Sequence, residues 1–96
     1  MDNQIEYISA QISKILLCDK NDISIVLYYV KDQTFARFAD IRQLNSYGIP
    51  IISILNDVYK TKYYTEDARK NMCKMPYNIL IELLNEFIRV ETKREP

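Results

Sequence analysis

Apolar residues recur along this chain with two rhythms, and most of the chain follows the helical one. Ile5, Ile8, Ile12 and Ile15 fall at alternating three- and four-residue steps, with Leu16 alongside. That spacing lays one apolar stripe along a helix over about residues 3–18, with Asp2 or Asn3 placed to cap it. The seam covers only about two heptads, short of the three or four that a coiled coil needs.

Residues 23–30, Ile-Ser-Ile-Val-Leu-Tyr-Tyr-Val, break that rhythm. Their β-branched and aromatic content favours a buried strand. A short buried helix capped by Asp22 also fits, because so short an apolar run has no decisive period. Composition tips the reading toward strand over residues 23–31, with residues 34–38 as the nearest hairpin partner. The next stretch contests that pairing. Phe35, Phe38, Ile41 and Leu44 recur every third residue, and Gly48 stands where a helix C-terminus favours glycine. A helix over about residues 34–46 follows from this. A lone strand leaves its backbone unpaired within one monomer. Three arrangements satisfy it: two helices, a hairpin, or a strand that pairs with another chain.

The remainder reads as helix throughout. Pro50, at a first helical position, opens a helix with Ile51, Ile54, Leu55, Val58 and Tyr59 on one face. Thr65 caps a short helix running to about Cys73, with Glu66 and Asp67 in its first turn. Pro76 then opens a last helix, in which Tyr77, Leu80, Ile81, Leu84, Phe87 and Ile88 form one stripe. Ile79, Leu83 and Val90 form a second beside it, so this helix is expected to be central or to meet a partner as well. The expected fold is mainly α: one small domain over 1–96, a bundle of four to five helices, and a frayed charged tail at 91–96. An α+β fold is the alternative if residues 23–31 are extended. A single glycine in 96 residues argues against an all-β chain.

Composition narrows the function classes. Nearly half the residues are apolar, which excludes a disordered chain. Thirteen basic residues balance thirteen acidic ones, without the basic excess that gives a dedicated nucleic-acid binder its affinity. Locally the balance tilts: Lys60, Lys62, Arg69, Lys70 and Lys74 outnumber Glu66 and Asp67 over residues 58–75. Cys18 and Cys73 are too few for a disulfide framework and read as thiols in a reducing compartment. The opening segment has acids where a secretory leader carries basic residues. The longest unbroken apolar run, residues 25–30, is far below the ~20 residues that span a bilayer. A cytoplasmic protein with no membrane partner is expected.

Catalytic chemistry finds little to work with. The chain has no histidine, which removes the commonest general base and the commonest metal ligand together. Glu82 and Glu86 share a helix face through their four-residue spacing and read as a solvated pair. Asp19, Asn21 and Asp22 lack the glycine and distal Glu of a calcium loop. No phosphate-cradling loop or nucleophile elbow is present. No catalytic residue, metal ligand or cofactor is assigned, and an enzyme is not expected.

The distinctive feature is tyrosine, with eight in the chain and no tryptophan. Tyr59, Tyr63 and Tyr64 cluster with Lys60 and Lys62, and an amphipathic ring beside a cation is a common contact element at protein interfaces. The leading expectation is a small interaction or regulatory protein that binds a protein partner, as a homodimer or other homo-oligomer. Its size and composition suit a phage, viral or plasmid-encoded regulator. The alternative is a helix-turn-helix DNA-binding regulator over residues 65–88, with Arg69, Lys70 and Lys74 meeting phosphates.

Overall fold

In the computed structural model, which describes residues 2–94, the chain starts as the isoleucine pattern predicts. The Asp2 carboxylate accepts from the backbone N–H groups of Gln4 (2.8 Å) and Ile5 (3.1 Å) and opens α1 (Asn3–Leu16). Ile5, Ile8 and Ile12 are fully buried. The segment read as a strand is instead the second long helix, α2 (Lys20–Gln33), capped by Asp19 rather than Asp22. The reason is quantitative. Ile23, Val26, Leu27 and Val30 all reach the core from one face of α2. Burying such side chains contributes about 1.5–3 kcal/mol each. The helical penalty of a β-branched residue is at most about 0.7 kcal/mol. Of the three arrangements consistent with the sequence, the first applies: residues 20–33 and 38–46 are both helical.

Extended backbone appears elsewhere. β1 (Phe35–Ala36) pairs antiparallel with β2 (Met75–Pro76), Phe35 opposite Pro76 and Ala36 opposite Met75. The helix expected from residue 34 therefore begins later, as α3 (Phe38–Ser46). Thr34 closes α2 with φ 72°, and its carbonyl accepts from the Tyr77 N–H at 3.0 Å. That bond joins segments that no local pattern connects.

The helix predicted from Pro50 splits in two. Pro50 is the cap of α4 (Ile51–Ile54) rather than its first residue, and Leu55 turns extended. Asn56 then caps α5 (Asp57–Tyr63) by accepting from the Tyr59 N–H at 3.0 Å. The break lets Leu55 reach the core and turns Val58 outward at 70% exposure, off the face where the periodicity put it. Thr65 caps α6 (Glu66–Lys70) through the Ala68 N–H, as predicted, but α6 stops short of Cys73. The last helix, α7 (Tyr77–Lys93), buries Leu80, Ile81, Leu84, Phe87 and Ile88 against α1, α4 and both strands. It is central, as expected, although of its second stripe Ile79 and Leu83 are half-buried and Val90 is exposed. It carries residues 91–93, expected to fray, in regular helix; residues 95–96 of the expected tail lie outside the described residues.

The fold is mainly α with a small two-stranded sheet, and its radius of gyration is 12.9 Å. Among the described residues, no helix is long and apolar enough to cross a membrane. Left-handed turns are made almost without glycine: Leu17, Thr34 and Met72 take positive φ beside Gly48. A polar seam ties α1 to α2. Tyr28 donates to Glu6 at 3.0 Å and accepts from the Asp2 N–H, while Lys31 pairs with Asp2 and Lys20 with Glu6.

Candidate functional site

The tyrosine–lysine cluster lies on α5 and the turn after it, and the structure separates its members. Lys60 and Lys62 are exposed. Tyr59 is half-buried and its ring stacks near Tyr63, centroids 6.1 Å apart. Tyr63 itself is only 4% exposed, with Lys62 Nζ 5.3 Å above its ring, so this side chain belongs to the core and not to a contact surface. Helical geometry explains that: Tyr63 sits four residues after Tyr59 on the inward side of α5, while Lys60 and Lys62 stay exposed, the latter reaching back over the Tyr63 ring. Tyr64 is half-buried and stacks on Phe38 of α3 at 4.7 Å, which anchors α5 to α3. The reachable part of the cluster is Lys60, Lys62 and the outer edges of Tyr59 and Tyr64.

The second basic group is dispersed. Arg69 and Lys70 are exposed on α6. Lys74 lies across the mini-sheet with its Nζ 4.4 Å from the Phe35 ring centroid, and Arg37 approaches the same ring at 5.3 Å. Both are cation–π contacts, each worth about 0.5–1 kcal/mol at an exposed position. The geometry departs from a helix-turn-helix in two respects. The connection from α6 to α7 contains β2 rather than a short open turn. The outward face of α7 begins with Asn78, Glu82 and Glu86, so carboxylates stand where a recognition helix would meet DNA. Glu86 is bound by the Arg89 guanidinium, which holds its carboxyl below the usual range. That is a surface ion pair and not an acid–base dyad.

What the sequence did not reveal is how these groups meet α3. A hollow of about 260 Å³ is lined by Arg37, Phe38, Ala39, Arg42, Arg69, Met72 and Cys73. A second of about 280 Å³ adjoins it along Ala39, Arg42, Gln43 and Ser46. The two share Ala39 and Arg42, forming one trough along the outer side of α3. Met72 stands 66% exposed at its rim, on a left-handed backbone (φ 52°). Among the described residues, none of Arg37, Arg42, Arg69, Lys60, Lys62 or Lys70 lies within salt-bridge distance of a carboxylate. Arg37 and Arg42 were missed because they lie some thirty residues from Arg69 in the chain, in a segment with no local excess of charge.

Comparison with protein-family models, with curated protein sequences and with solved structures found no match to this chain.

Proposed function

We propose that this chain is a non-enzymatic interaction protein that binds another macromolecule through the lysine-bearing surface of α5. The reading of a binder rather than an enzyme rests on the sequence, which offers no histidine and no nucleophile with an activating base. The observation that carries the site is the pairing of exposed, uncompensated Lys60 and Lys62 with half-buried rings held in place by stacking. Rings fixed by their neighbours offer contact area at low entropic cost. Uncompensated lysines steer an acidic partner and speed its association. A protein partner is favoured over DNA because the outward carboxylates of α7 oppose phosphate.

The test uses exposed positions only, so that folding is not at issue. The tagged full chain and its K60E/K62E variant are used as baits, and melting temperatures are compared alongside. A partner retained by the wild type and lost by the variant, at unchanged melting temperature, supports the reading. Equal retention by both removes the site. A duplex-DNA gel shift that weakens steeply with salt, and is lost in R69E/K70E, would favour the regulator reading of residues 65–88 instead.

A further inference from the structure

The outer face of α2 is unusual for a surface helix. Ile25 and Tyr29 stand one turn apart, 65% and 55% exposed, opposite the buried Ile23, Val26 and Val30. Asp22 and Asp32 flank them on the same side, about 15 Å apart along the axis at 1.5 Å per residue. Neither aspartate is in a salt bridge among the described residues. The motif is thus acid, aliphatic, aromatic, acid along one helical face. The trough beside α3 carries the complementary set. Phe38 lines it, Met72 stands at its rim, and Arg37, Arg42 and Arg69 line it with no carboxylate in salt-bridge distance among the described residues.

We propose that this trough receives the outer face of α2 from a second copy of the chain. Ile25 and Tyr29 would lie against Phe38 and Met72, and the flanking aspartates would meet the arginines. Guanidinium–carboxylate pairs can be bidentate, and they fix register as well as adding attraction. The docking mode is a helix laid in a groove, and the adaptable thioether of Met72 suits such a contact. The overall charge permits it. With a formal net charge of zero, two copies do not repel one another at long range, and the opposed patches dominate the approach. Donor face and acceptor trough are different surfaces of one chain. Association therefore closes reciprocally as a two-fold dimer or continues head to tail, and either raises the mass. The contact does not use Lys60 or Lys62, so it stands or falls independently of the α5 reading.

The experiment is sedimentation equilibrium of the full chain from about 5 to 500 µM, at low and high salt. The weight-average mass is expected to rise above the 11.4 kDa monomer with concentration, and to fall back as salt screens the pairs. D22R/D32R and R42D/R69D should each associate at least tenfold more weakly, while an equimolar mixture regains most of the lost association because the swapped pairs become complementary again. The unmodified chain gives a second readout, since Cys73 lines the trough and Cys18 sits between α1 and α2. Alkylation of Cys73 should slow as protein concentration rises, with Cys18 unchanged. A mass of one chain throughout, variants that associate like wild type, or a Cys73 rate independent of concentration would each overturn the proposal. So would a trough that binds duplex DNA or an added acidic peptide while the chain stays monomeric.

Discussion

Leu84 lies at the centre of α7 with no exposed surface, packed where the helix meets the rest of the core. Truncation to alanine removes three carbon atoms from that position. At about 0.8 kcal/mol for each buried carbon, the transfer loss alone is about 2.4 kcal/mol. A cavity term adds to it, because α7 is held by α1, α4 and the mini-sheet on different sides and the walls cannot all collapse inward. The total should lie between about 2.5 and 5 kcal/mol. A chain of this size has roughly 5–15 kcal/mol of stability in all, and each kcal/mol shifts its melting temperature by about 4–8 °C. Leu84→Ala should therefore lower the midpoint by 10 °C or more, read by circular dichroism at 222 nm or by calorimetry. Chemical denaturation should show a lower midpoint with an unchanged slope, since the variant loses packing and not fold. A midpoint within one or two degrees of wild type would refute the central placement of α7.

Three further outcomes are expected. Leu17 closes α1 at φ 56° with its side chain almost wholly in solvent, so Leu17→Gly should stabilise the chain by about 1 kcal/mol by relieving the left-handed penalty; a loss of stability in urea titration would contradict this. Tyr63→Ala should cost about 3–5 kcal/mol as a core truncation, whereas Tyr64→Ala, at a half-buried ring, should cost less in total, its Phe38 stack contributing about 0.5–1.5 kcal/mol of the loss, and equal losses would dissolve the distinction. The Asp2 carboxyl is held below the usual carboxylate range, first by the Lys31 ammonium and then by the Ile5 and Gln4 N–H groups. Because the folded-state value is depressed, this contribution is complete above the unfolded value of about 3.9 and is lost as pH falls through the lower folded value. Asp2→Asn should flatten the decline of stability below about pH 4, and an unchanged acid limb would show that the α1–α2 seam is not responsible.

The legible parts of the fold are those in which one segment carries its own evidence. Asp2, Thr65 and Pro76 mark helix starts because a capping oxygen or a missing N–H acts within a turn or so of its own position. The isoleucines of α1 and the Leu80–Ile88 stripe of α7 specify a buried face whatever they pack against. Of the candidate site, the exposure of Lys60 and Lys62 followed from their charge, since an unpaired lysine keeps its ammonium in solvent. The inward turn of Tyr63 and the exposure of Val58 did not. Both depend on the break at Leu55 and Asn56, which exists so that Leu55 can reach a core made by distant helices.

The sequence by itself determined a mainly helical chain, because its apolar spacing, caps and scarcity of glycine act locally and agree with one another. Tertiary structure alone decided three matters. It made residues 20–33 a helix, since a core was available on one side to bury four apolar side chains and outweigh their β-propensity. It placed the strands at β1 and β2, whose pairing joins residues forty positions apart in the chain and leaves no trace in either neighbourhood. It also brought Arg37 and Arg42 beside Arg69. Charge acts through space, and only the packing of α3 against the α6 turn sets the separations over which those three guanidiniums share one trough.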